Sequence, residues 1–108
     1  MKMNALALTY FRAFAAKDLA QLRELLHADV TLRDWVVEVK GRDEVLAEMS
    51  RGFKSFASIQ VTPVHVYCDQ STVIGELDIA LDSERIKVID VLEYSSDRKI
   101  RAIRAFKG

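Results

Sequence analysis

The chain has 108 residues, half of them hydrophobic and 30% charged, with 16 basic residues against 16 acidic ones. One compact α+β-sized domain, spanning residues 1–108, fits this length and leaves no room for a second. A formal charge of zero gives no counterion-driven reason to bind nucleic acid, and the single cysteine excludes both an internal disulfide framework and a cysteine-rich zinc site.

Residues 3 to 16 place Leu6, Tyr10 and Phe14 on one stripe, with Arg12 opposite, which is a helical period. Asp18 followed by Gln21 has the spacing of a capping box and opens a second, shorter helix carrying Leu19, Leu22, Leu25 and Leu26. His27-Ala28-Asp29 is expected to end that helix, with His27 as a cation at its C-terminus. The run 30–39, rich in β-branched residues, reads as one strand closed by Lys40-Gly41. A third helix starts near Asp43 and presents Val45, Met49, Phe53 and Phe56 on one face. Four β runs follow at 59–68, 72–82, 85–95 and 99–107, joined by short polar turns that make them antiparallel neighbours. Helices first and a meander last is an α+β layout, with the helices covering one face of the sheet. No apolar stretch approaches a membrane span, and Thr9, Tyr10 and Arg12 interrupt the N-terminal apolar run too early for a secretion signal, so a cytoplasmic location is expected.

Three segments carry a resemblance over nearly the whole chain: Thr9 to Phe14 continuing through Lys17-Asp18-Leu19, then Asp29 to Asp34, then Val88-Ile89-Asp90-Val91-Leu92. The closing run Ile103 to Gly108 adds to it. The order and motifs resemble the SnoaL-like and ketosteroid isomerase-like proteins of the nuclear transport factor two-like superfamily. That resemblance implies a cone-shaped α+β barrel, a curved and mostly antiparallel sheet covered by three N-terminal helices. It also implies roles: Asp34 as the base, with Tyr10 and a protonated Asp90 as donors to an oxyanion, and no cofactor. This chain departs from the ketosteroid isomerase pattern in having Trp35 where the family has proline after the first aspartate, which points to a smaller ligand than a steroid.

The residues support such chemistry on their own terms. Asp90 shares a strand face with Val88 and Leu92, so its carboxyl is expected among apolar neighbours, where a carboxyl tends to keep its proton and donate it. Tyr10 lies on the apolar stripe of the first helix, so its hydroxyl must find an interior partner. Asp34 shares its face with Leu32 and Val36 near a strand end. A carboxylate that removes a proton, beside a phenol and a neutral acid that stabilise developing charge, suits proton transfer next to a carbonyl. Each of the three could instead serve the core alone, a buried Asp by fixing backbone amides and a helix Tyr by packing.

The expected ligand-binding residues are Phe14, Trp35, Met49, Phe53, His65 and Arg104. His65 and Arg104 would admit a lyase or hydrolase if they entered the pocket, although Arg104 could equally pair with Glu93. The two histidines lack a matched carboxylate spacing, so no metal site is expected. Cys68, beside a turn with no evident base, is expected to be inert. Glu76 and Asp78 fall on one strand face with Ile74 and Ala80 and read as solvated residues or as contributors to the pocket. Ile89 and Val91 lie opposite Asp90, and an apolar outer face predicts a homodimer through the sheet. The expected partner is a small, apolar, carbonyl-containing molecule, with no nucleic acid and no membrane. Two classes of function remain: a cofactor-independent isomerase or cyclase-like enzyme, and a non-catalytic dimeric binding or scaffold domain. Fold alone does not choose between them.

Overall fold

The computed structural model describes residues 2–108. Three helices and six strands follow the order α1 (Met3–Ala15), α2 (Leu19–Leu25), β1 (Leu26–Arg33), β2 (Glu38–Lys40), α3 (Arg42–Ser55), β3 (Ile59–Asp69), β4 (Thr72–Leu81), β5 (Glu84–Tyr94) and β6 (Ile100–Lys107). All six strands form one curved sheet in the order β2-β1-β6-β5-β4-β3, antiparallel except where β1 runs parallel to β6. The sheet does not close on itself, so β2 and β3 remain as edges.

Local chemistry explains most boundaries. The Asp18 carboxylate accepts the Gln21 backbone N–H at 3.0 Å and starts α2, as its spacing suggests. Lys17, with φ of 57°, makes the reversal between α1 and α2, and its amine reaches the Phe56 carbonyl at the end of α3. Two expectations are corrected. His27 does not cap α2: it is already in β1, and its Nδ1 accepts the Asp29 N–H at 3.0 Å. The run 30–39 is not one strand but two, folded into a hairpin whose tip is residues 34–37. There the Asp34 N–H donates to the Val37 carbonyl at 3.0 Å, while Asp34 Oδ1 accepts the N–H groups of Val36 at 2.7 Å and Val37 at 2.8 Å. An aspartate that bonds the backbone two and three residues ahead replaces the Gly or Asn normally needed in a turn.

The core lies between the helices and the inner face of the sheet, with Ala7, Leu22, Val30, Val45, Val73 and Leu92 fully enclosed. α1 packs across β3 and β4, and α3 across β1 and β2. The two long helices therefore flank the middle strands β5 and β6 rather than lying on them, and the space over those strands is left for a cavity. Alternation along β4, β5 and β6 sends the other face outward, where Ile74, Ile89 and Phe106 are exposed. Among the described residues, no helix is long and apolar enough to cross a membrane.

Candidate functional site

The inner face carries one row that differs from its neighbours. Gly75 of β4, Asp90 of β5 and Ala105 of β6 lie side by side in register, so the only long side chain in that row is the acid. The small residues leave room for aromatic rings above. A Cβ on Gly75 would stand 2.8 Å from Cζ of Phe11, so the ring of Phe11 uses the space that glycine vacates. Tyr10, one residue earlier on α1, is buried at 3% exposure and lines the same space.

That space is a cavity of about 550 Å³, within the range of small-molecule sites. Its walls are mostly apolar. Phe14 and Phe53 meet edge to face at 4.9 Å and 78°, and Met49 and the β-strand residues Leu77, Ile79 and Ile86 complete the wall. Asp90 lies toward the interior, beside buried Val88 and Leu92, while Asp34, Trp35 and Val36 enter from the β1–β2 turn. The structure thus brings Tyr10, Asp34 and Asp90 to one cavity, together with Phe14, Trp35, Met49 and Phe53.

The three polar groups occupy different surroundings. Among the described residues, neither the Tyr10 hydroxyl nor the Asp90 carboxyl hydrogen-bonds to protein. Burial pushes the Asp90 carboxyl up to about 7, so near neutral pH it carries its proton for a large part of the time. Tyr10 is held well above the ordinary tyrosine range, first by burial and then by the negative charges that Asp90 and Tyr94 can carry. It stays a phenol and therefore a donor. Asp34 is half-buried, with Oδ1 taken up by the turn, leaving Oδ2 as its remaining acceptor.

His65 and Arg104 do not line the cavity, which corrects their placement as ligand-binding residues. β3 has a bulge between Pro63 and His65, and the extra residue turns His65 outward opposite Glu76, where it lies exposed near Tyr67. Arg104 is on the outer face of β6, paired with Glu93, which also contacts Arg101 at 3.5 Å. The Arg104 guanidinium holds the Glu93 carboxyl below its usual range. A lyase or hydrolase that needs either residue in the pocket loses its basis. Asp78 pairs with Lys87 at 3.1 Å on the same outer face. Cys68 is exposed, in an open depression that it lines with Lys2, Met3, Asn4 and Arg98. No group of three or more metal-ligating side chains occurs among the described residues.

Sequence reasoning missed the cavity's charged rim. Lys107, Glu84 and Glu48 line its mouth, and Glu48 is held by Arg51 at 2.8 Å. The signal for Lys107 was strand parity, because it shares the inner face with Ile103 and Ala105. Tyr94, outside the cavity lining, is buried at 4% exposure, its hydroxyl has no hydrogen-bond partner, and burial raises it well above the ordinary range.

Comparison with known proteins bears on the fold. No curated protein matches the chain. Among solved structures, a candidate ketosteroid isomerase from Kribbella flavida is 20% identical, with a TM-score of 0.84, covering 98% of this chain and 77% of that one. A candidate polyketide cyclase from Sinorhizobium meliloti is 14% identical, with a TM-score of 0.84 and coverages of 97% and 99%. An NTF2-like protein of unknown function from Cytophaga hutchinsonii is 11% identical, with a TM-score of 0.85 and coverages of 100% and 91%. At these identities the likeness concerns fold alone. The family model of the SnoaL-like domain matches residues 7–103, nearly the full length, and the chain belongs to the SnoaL-like family.

Proposed function

We propose that the protein is a small cofactor-independent isomerase or cyclase-like enzyme that moves a proton next to a carbonyl held in the cavity. The observation that carries this is the convergence of a phenol and a carboxyl, neither hydrogen-bonded to a described residue, on one mostly apolar chamber that a second carboxylate also lines. Asp34 Oδ2 takes the α-proton and returns it at the product carbon. Tyr10 and protonated Asp90 donate to the oxyanion that forms in between. Splitting two acids between a buried donor and a wetter base is how ketosteroid isomerase itself works, so this division follows the family pattern. The Asp34 turn supports the assignment, because the two bonds to Oδ1 fix the direction of Oδ2.

The test is isomerisation of 3-cyclohexen-1-one to its conjugated isomer, followed by ultraviolet absorbance. Wild type accelerates the reaction, and Asp34→Asn lowers the rate by about 10²–10⁴-fold, the usual contribution of a general base. Tyr10→Phe weakens binding of phenol mimics of the oxyanion. Equal rates for Asp34→Asn and wild type on a turned-over ketone reject the role of Asp34.

We also infer that the outer face mates with a second copy of the chain. Tyr67–Ile74–Val91 and Ile89–Phe106 are cross-strand neighbours and form a continuous apolar strip, and the net charge of zero opposes no self-association. Ile89→Glu is expected to sediment as a monomer at micromolar concentration where wild type sediments as a dimer. A monomeric wild type rejects this pairing.

A further inference from the structure

Trp35 is the only tryptophan in the chain, and it is 48% exposed although it lines the cavity. Its neighbour Val36 lines the same entrance at 77% exposure. Two large apolar side chains left this open are costly unless something covers them. Four of the chamber's other rings have ring partners, Phe14 facing Phe53 at 4.9 Å and Tyr10 at 6.1 Å and Tyr10 facing Phe11 at 5.7 Å, and Phe56, the one without, is packed against the core. Among the described residues Trp35 has no ring partner and no hydrogen bond from its indole N–H. It is nevertheless not on a loose loop. The two backbone bonds to Asp34 Oδ1 and the bond between the Asp34 N–H and the Val37 carbonyl clamp the four-residue tip that bears it. The residue that anchors the turn is the same residue whose other oxygen enters the cavity, so the indole is held at a fixed offset from that carboxylate.

We propose that Trp35 is a specificity-determining residue that selects a planar, conjugated ligand by covering its outer ring while the ligand's oxygen reaches Tyr10 and Asp90. This deepens the function proposed above and rests on it. A flat ring presents its whole face to the indole, whereas a puckered saturated ring of the same skeleton holds part of itself away. Aliphatic walls such as Leu77, Ile79 and Ile86 accept either shape, and the interior rings Phe14 and Phe53 already face each other edge to face.

The test compares 2-naphthol with 5,6,7,8-tetrahydro-2-naphthol by titration calorimetry. The two phenols share a hydroxyl-bearing ring and differ only in whether the far ring is flat. Wild type is expected to bind 2-naphthol more tightly. Trp35→Leu is expected to lose about tenfold in affinity for 2-naphthol and about twofold for the tetrahydro compound, a difference in line with one aromatic pair. Trp35→Phe keeps most of the preference, and circular dichroism of each variant matches wild type because the side chain lies outside the core. Tyr10→Phe weakens both phenols alike. If Tyr10→Phe weakens both and Trp35→Leu leaves their ratio unchanged, the role of Trp35 falls and the function stands. If wild type binds neither phenol, or Tyr10→Phe changes neither, the function proposed above fails and takes this inference with it.

Discussion

Asp90 and Asp34 are the same residue type lining one cavity, and the fold gives them different surroundings. Asp90 is set on a central strand between a glycine and an alanine, facing a mostly apolar cavity and given no N–H to bond. Asp34 is at the tip of a hairpin and receives two backbone N–H groups on one oxygen. The first environment disfavours negative charge. Chemical identity therefore says little about role until the neighbours are counted, and here the neighbours are backbone amides in one case and missing side chains in the other.

The sharpest way to test that contrast is pH. The Asp90 carboxyl holds its proton up to about 7 in the folded protein, against 3.8 as its ordinary value. Between those limits the native state binds a proton that the unfolded chain has released, so stability falls as pH rises through this window and levels off above it. Asp90→Asn has no such proton. Its unfolding free energy in urea is expected to match wild type near pH 4 and to exceed it by on the order of 3 kcal/mol at pH 8. Parallel curves for the two proteins would show that the acid is solvated and remove the oxyanion role assigned to it.

A smaller effect separates the two functions of Asp34. Asparagine retains an oxygen that accepts the Val36 and Val37 N–H groups, whereas alanine does not. Asp34→Ala is expected to unfold about 1 kcal/mol more easily than Asp34→Asn, the usual worth of a local side-chain to backbone bond. Both variants are expected to be inactive, since neither can take a proton at that position. Equal thermal midpoints for the two would mean that the turn holds without its carboxyl, and would undo the fixed placement of Trp35.

Much of the fold was legible because local and tertiary signals agree. Leu6, Tyr10 and Phe14 repeat at the helical period, the Asp18–Gln21 cap forms at the spacing that announced it, and short polar turns separate the meander strands. The inward placement of Asp90 followed from simple alternation with Val88 and Leu92. Two features were hidden for physical reasons. The β1–β2 hairpin escaped notice because Trp35, Val36 and Val37 are strand formers by propensity, and only the Asp34 side chain converts them into a turn. His65 was misplaced because one extra residue after Pro63 reverses the parity of everything beyond it, and no composition rule reports a bulge. Arg104 was a different case: its parity opposite Ile103 and Ala105 was readable, and Glu93 was already a possible partner.

The bulge has an effect beyond aiming a histidine. A sheet that stays open must present bare rims, and an eleven-residue outermost strand such as β3 would offer a stranger chain a long row of free amides to copy. Pro63 supplies no amide, and the irregularity beside it bends the ladder away from a straight template. At the opposite rim β2 is only three residues long, too short to seed pairing. The vessel can thus keep its mouth open for a ligand without inviting fibrils along its sides.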